Sequence, residues 1–199
     1  MKQYKLIGLT GQSGAGKSTV SKLFSKLGAK IINADEIVTD LYTPGSYCLK
    51  AVAAYFGAEI INPDGTLNRR MLAERAFSSK ENTAALNAIV HPFVTARLFE
   101  LLKDAKGVVV FDAPQLFEAG ADVICDVILA VVADEKLRLK RIIHRDNLTE
   151  EQAVSRIKAQ FSEDYFRKHA DIIIENNSDE RNLIRQGEEA YNSITNGVM

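Results

Sequence analysis

Eight consecutive residues carry the clearest chemistry in the chain: Gly11-Gln12-Ser13-Gly14-Ala15-Gly16-Lys17-Ser18. They fit the pattern G-x-x-x-x-G-K-[ST]. The glycines let the backbone curl with its N–H groups pointing inward and no Cβ in the way. A helix starting at such a curl adds free N–H groups and a dipole that favours an anion. In that arrangement the Lys17 ammonium reaches the β- and γ-phosphates of a nucleotide and the Ser18 hydroxyl ligates Mg²⁺. Thr19 carries the loop into the helix, so the nucleotide-binding set runs from Gly11 to Thr19.

The neighbouring residues supply the context that this motif needs. Tyr4 to Thr10 is an apolar segment that reads as a buried strand. Val20, Leu23, Phe24 and Leu27 then recur at i, i+3, i+4 and i+7, one face of a helix, with Gly28 at its end. Lys30 to Asn33 reads as a second strand and Ala34 opens a helix, which leaves Asp35 at the carboxyl end of a strand. Open α/β sheets place their ligand chemistry there. Asn33 or Asp35 could equally do no more than cap the helix.

From Thr43 to Lys106 the pattern is mostly helical, with turns at Pro44-Gly45 and Asn62-Pro63-Asp64-Gly65. Ile60-Ile61 could pair with Leu67 as a small hairpin. A long helical run from Glu81 to Asp104 is expected to break or kink at His91-Pro92, where proline lacks a donor and clashes with the Ala88 carbonyl. Gly107 to Asp112 is a continuous apolar strand of the kind covered on both faces. Its terminal Asp112, beside a phosphate loop, has the position of a carboxylate on the Mg²⁺ side, although Asp also starts many turns. After a strand at Asp126 to Val132, a helix from Glu135 to Arg145 aligns Arg138, Arg141 and Arg145 on one face. Next to a nucleotide, such a basic helix suits a lid that stabilises transition-state charge. Thr149 and Gln152 form a capping box. A short helix at Phe161 to Lys168, a strand at Asp171 to Ile174 and an amphipathic closing helix complete the chain.

Composition narrows the function. The chain has 199 residues, 46% hydrophobic and 26% charged, with a net charge of −1. This is the profile of one soluble domain, without the basic excess of a nucleic-acid binder. Lys2 and Lys5 interrupt the start, so no secretory leader is expected, and no apolar run reads as long enough to span a bilayer. Cys48 and Cys125 share no metal or redox spacing and read as reduced thiols in a cytoplasmic protein, Cys125 in the core. No Asn-Lys-x-Asp segment marks a guanine site. Alternating strands and helices predict an α/β fold of the P-loop NTPase kinase type. About five parallel strands would carry helices on both faces, with a helical acceptor-binding insert and a helical lid. The expected division is core 1–33, 107–133 and 170–199, insert 34–106 and lid 134–169.

Several further segments occur in an order that resembles the dephospho-coenzyme A kinase family over nearly the whole chain. They are Ile7 to Ser18, Asn33-Ala34-Asp35, Leu67-Asn68-Arg69, His91-Pro92, Asp112-Ala113-Pro114-Gln115-Leu116-Phe117-Glu118, Arg141, Arg145-Asp146, Leu148-Thr149, Gln160, Ala170-Asp171 and Asn176. The chain departs from that family at Asn33 and Asn68, commonly Asp, at Gln115, commonly Leu, and at Gln12-Ser13, more usually Gly-Ile. The resemblance implies ATP-dependent phosphorylation of the ribose 3′-hydroxyl of dephospho-coenzyme A, with ATP and Mg²⁺ required. It implies Asp35 as the base, Lys17, Arg145 and Arg141 in charge stabilisation, and Ser18 and Asp112 at the metal. Asp35, Arg69, His91, Pro114 and Leu116 would meet the acceptor, and Asn177 the adenine. His91 could instead be a backbone-bonded histidine and Arg69 a surface arginine. The expected partners are small molecules, with neither nucleic acid nor membrane, in a monomer or small homo-oligomer. Two rival functions stay open: kinase of another small alcohol or nucleotide, and a nucleotide-binding relative without turnover.

Overall fold

The computed structural model describes residues 2–197. Five strands form one sheet: β1 (Tyr4–Gly11), β2 (Lys30–Asn33), β3 (Gly107–Asp112), β4 (Val127–Val132) and β5 (Ile172–Glu175), in the spatial order β2-β3-β1-β4-β5. The pairings β1–β3, β1–β4 and β4–β5 are parallel. Parallel neighbours need crossovers, and the helices between strands supply them. The α/β architecture expected from the alternation is therefore present, as are all five strands.

The chain separates into two compact units. One runs to Ile32 and resumes at Ala105; the other is Asn33–Asp104. In the first, β1, β3 and β4 are buried on both faces, which is why each reads as an unbroken apolar run. Helices α1 (Lys17–Lys26) and α9 (Glu180–Thr195) cover one face. Val20 and Phe24 of α1 join Ile7, Leu9, Val110, Leu129 and Leu183 in one cluster, and Phe24 meets Tyr191 edge-on at 5.1 Å. Leu27, expected on the apolar face of α1, lies one residue past the helix and is exposed; the helix stops there because Gly28 takes φ +98°. On the other face Phe166, from α8 (Glu163–His169), packs with Ala130 and Val132. Helices α6 (Glu135–Asp146) and α7 (Glu150–Lys158) join through Ile142, Ala153 and Ile157. Asn147 turns the chain between them at φ +51°, and the expected Thr149–Gln152 capping box starts α7.

The second unit holds α2 (Ala34–Leu41), α3 (Tyr47–Phe56), α4 (Arg69–Ala76) and α5 (Lys80–Leu102) around Cys48, Val52, Phe56, Ile60, Leu72 and Val90. Ile61 and Leu67 form a single antiparallel bridge, the small pairing that the sequence allowed. Two expectations need correction. Helix α5 runs unbroken through His91-Pro92. Proline removes one backbone bond, but Val90, Phe93 and Val94 on either side of it pack into the unit's core, so the helix is not broken there. The same helix is long and apolar enough to cross a membrane by length and composition, contrary to the sequence reading. Leu86, Ile89, Val90, Phe93 and Val94 of this helix pack in the second unit's core, while Phe99 is exposed.

Asn33 and Asn68, the departures from Asp, both cap helices. The Asn33 side-chain carbonyl accepts from Asp35 N at 2.8 Å, and that of Asn68 accepts from Met71 N at 3.1 Å. Asn and Asp serve about equally well in that position. N68A is expected to lower stability by about 1 kcal/mol, and N68D by no more than about 0.3 kcal/mol. Urea unfolding of the two variants measures both; equal losses would mean that the side chain acts other than as a cap.

Candidate active site

The site is built where β1 ends. Gly16 adopts φ +107°, a left-handed conformation that costs glycine little, and α1 starts immediately after it. No side chain caps α1, so its first N–H groups stay available to an anion. A Cβ at Gly16 would collide with the Asn176 amide, which lies buried just past β5 and donates to Ala15 O at 2.8 Å. Gly14, at φ +78°, packs against the start of α6; a Cβ there would come within 2.9 Å of Arg138 O. Arg141 donates to Gly14 O at 3.3 Å and to Asn176 O at 3.1 Å. Ser13 N donates to the Gln160 side-chain carbonyl at 2.9 Å. The loop is thus held by groups from α6, the end of α7 and the end of β5.

The pairing register sets Asp112 level with Leu9, two residues before Gly11, and Ala113 N continues the ladder to Leu9 O at 3.0 Å. That register brings the buried Asp112 carboxylate onto the Lys17 ammonium. A buried carboxylate needs such a partner, because desolvation disfavours an isolated charge. Ser18 is exposed in the first turn of α1. Asn177, expected near the adenine, is exposed, and its side-chain carbonyl accepts from Asp134 N at 2.7 Å, joining the end of β5 to the start of α6.

The two arginines of α6 expected at the phosphates differ. Arg141 touches the loop, whereas Arg145 forms a two-point pair with Asp146 at 2.8 and 2.9 Å. Arg156 shares the same carboxylate. The hydrogen bond from Arg145 is the largest influence holding the Asp146 carboxyl down at about 2. Of the remaining expected residues, Asp35 and Arg69 are exposed near the starts of α2 and α4 in the second unit. His91 is half-buried on α5, and burial lowers its pKa from the ordinary value. Pro114 is half-buried and its carbonyl accepts from Thr10 Oγ1 at 3.3 Å. Leu116, expected against the acceptor, is instead fully buried beside Gly8, where it fills the core next to Cys125. Cys125 itself is only partly buried, and both cysteines are free.

Two residues that bond the loop, Asn176 and Gln160, lay outside the expected site, as did Arg138, whose backbone lies against Gly14. Arg138 belongs to the basic stripe noted in the sequence, but burial depth along that stripe is invisible without the fold. It is 3% exposed and donates from Nε to Ala133 O at 3.0 Å.

A phosphate loop on a five-stranded parallel sheet, with a basic helix against the loop, defines a P-loop kinase. A protein-family profile described as Dephospho-CoA kinase matches residues 5–182. The dephospho-CoA kinase of Corynebacterium glutamicum is 43% identical over 175 residues, 86% of this chain and 88% of that protein. That of Fusobacterium nucleatum is 40% identical over 191 residues, 95% and 98% of the two chains. The solved dephospho-CoA kinase of Campylobacter jejuni superimposes with a TM-score of 0.73 at 27% identity, covering 98% of this chain and 100% of that one. The chain belongs to the dephospho-CoA kinase family. It is a kinase, and its reaction is the ATP-dependent phosphorylation of dephospho-coenzyme A.

The Asp146 network sets a pH response. Its folded pKa is depressed, so its contribution is present above the ordinary carboxylate range near 3.8 and is lost as pH falls through about 2. An NMR titration of the Asp146 carboxyl should give a midpoint near 2 in the wild type and move upward in R145M. An unchanged midpoint in R145M would exclude Arg145 as the main cause.

Proposed function

We propose that the loop and its neighbours carry the family's reaction as follows. The Gly11–Thr19 backbone holds the β- and γ-phosphates of ATP, and Lys17 neutralises their charge. The supporting observation is the meeting of Lys17 with Asp112 at the uncapped start of α1. Arg141, already against Gly14 O, adds positive charge where the transferring group develops negative charge. Arg145 reaches that group only by leaving Asp146, and that exchange couples lid position to catalysis.

The Ser18 hydroxyl and the Asp112 carboxylate suit Mg²⁺, which takes few protein oxygens and completes its shell with phosphate and water. Among the described residues no group of three His, Cys, Asp or Glu side chains forms a richer metal cluster. Mg²⁺ there would neutralise phosphate charge and align the γ-phosphate. Lys17 would move from the carboxylate to the phosphates, leaving Asp112 to act at the metal, through water.

The acceptor is the ribose 3′-hydroxyl, and Asp35 takes its proton. Asp35 follows the carboxyl end of β2 by two residues, and the Asn33 cap holds its backbone. Such a base contributes about 10²–10⁴-fold. Arg69, His91 and Pro114 complete the acceptor contacts; the lowered pKa of His91 keeps it neutral near pH 7, a donor or acceptor rather than a cation. Asn177 lies at the adenine end. The enzyme acts in the cytoplasm, a reading that its two free thiols suit, as a monomer or small homo-oligomer.

A coupled ADP-release assay with ATP, Mg²⁺ and dephospho-coenzyme A, run on the wild type and D35N, tests the chemistry. Turnover should fall at least about 100-fold in D35N with ATP binding intact. Full turnover in D35N would remove Asp35 as the base while leaving the substrate in place. D112N is expected to raise the Mg²⁺ concentration needed for half-maximal rate; an unchanged Mg²⁺ dependence would remove Asp112 from the metal.

A further inference from the structure

Two buried polar atoms beside the phosphate loop have no hydrogen-bond partner: Gln12 Oε1, an acceptor, and Arg138 Nη1, a donor. Both residues are almost wholly enclosed, at 4% and 3% exposed. Neither group has a partner within the protein, and a buried polar group left unmatched is costly. The two atoms are complementary, and three observations connect the surroundings of the two residues. Gly14, two residues after Gln12, lies directly on the Arg138 backbone, within 2.9 Å of its carbonyl for a Cβ built there. The other end of the Gln12 amide, Nε2, reaches Phe161 O at 3.5 Å, the limit of a hydrogen bond. The Arg138 guanidinium feels the Glu163 carboxylate, two residues beyond Phe161, and that of Glu135 on its own helix. Gln12 thus reaches the turn that precedes α8, and the Arg138 charge lies within electrostatic range of Glu163 at the first residue of α8.

Nε of Arg138 already holds Ala133 O at the end of β4, so the guanidinium is anchored and only Nη1 remains to be matched. Gln12 is held only weakly through Nε2. We propose that Arg138 is a positioning residue for the phosphate loop: its Nη1 donates to Gln12 Oε1 when bound nucleotide phosphates draw the loop and α6 together. The bond fixes the curl from Gly11 to Gly14 against α6, and it links lid position to loop geometry without touching the substrate. It also gives the unusual Gln at position 12 a purpose, since a glycine there could not complete the pair. The inference rests on Gly11–Ser18 holding ATP.

The test is a double-mutant cycle on R138M, Q12M and R138M/Q12M, using steady-state ADP release with ATP and dephospho-coenzyme A varied separately, and thermal melting of each variant. Each single variant should raise the KM for ATP about tenfold, the worth of one hydrogen bond to a charged group, and leave the KM for dephospho-coenzyme A within twofold. The double variant should be no worse than either single one. Effects that multiply in the double variant, an ATP KM unmoved in either single variant, or equal rises for both substrates would overturn the pairing. A purely structural role would lower melting temperature and active fraction without the split between substrates. If R138M does not fold, R138K replaces it: a lysine cannot hold Ala133 O and Gln12 together, so Q12M should add nothing on that background, and an undiminished Q12M effect would overturn the proposal. Wild-type protein without turnover would fail the ATP reading itself, an outcome separate from failure of the cycle.

Discussion

A carboxylate and an ammonium, Asp112 and Lys17, meet where a buried strand ends and α1 begins. Asp112 is not tolerable there alone, because a buried charge without a counter-charge loses roughly several kcal/mol of hydration that nothing returns. Much of the first unit serves to bring them together. The β1–β3 register fixes the height of Asp112, the left-handed Gly16 fixes where α1 begins, and Lys17 is the first residue of that helix. A one-residue slip of β3 would turn Asp112 to the other face of the sheet. The continuous apolar burial of β1, β3 and β4 makes such a slip costly, since it would disturb packing on both faces at once.

The pair also explains how an anion-binding loop remains stable by itself. Concentrated positive charge, from Lys17, Arg141 and the N-terminus of α1, would repel itself without a local acid. Asp112 answers Lys17, backbone carbonyls of Gly14 and Asn176 answer Arg141, and Asp146 answers Arg145 and Arg156. Each cation near the loop thus has a partner that a phosphate could replace. The exchange starts from partnered cations, held by carboxylates or, for Arg141, by backbone carbonyls. Its free energy is therefore a difference between two favourable states, which suits a site that must release its product.

Much of this was legible in the sequence because the signals are local. Continuous apolar runs gave the strands, and the glycine spacing together with Lys17-Ser18 gave the loop. Asp112 was readable from its place at the end of β3. What escaped depends on depth or on tertiary contact. Arg138, Arg141 and Arg145 share one helical face, yet they are respectively buried, half-buried and exposed, and periodicity carries no such gradient. Asn176 reads as the polar end of a strand, and only the fold shows its amide against Ala15. Leu116 follows a strand-end aspartate, where a ligand contact is a fair expectation, but the chain turns it inward onto Gly8. Pro92 is a strong local signal that tertiary packing overrode.

The two asparagines show how a substitution can be conservative in one role and not in another. As helix caps, Asn33 and Asn68 supply the same acceptor oxygen that Asp would, at 2.8 and 3.1 Å from the N–H groups they serve. They lack the negative charge that would favour a helix N-terminus by about 0.3–1 kcal/mol more. Next to Asn33 the first turn of α2 already carries Asp35 and Glu36, so a third carboxylate would meet like charge. The first turn of α4 has no acid, and it opens with Arg69 and Arg70. An uncharged cap there keeps the first turn of α4 free of acidic side chains. As an uncharged cap, Asn68 still supplies the acceptor for Met71 N and so preserves the start of the helix on which the exposed Arg69 sits.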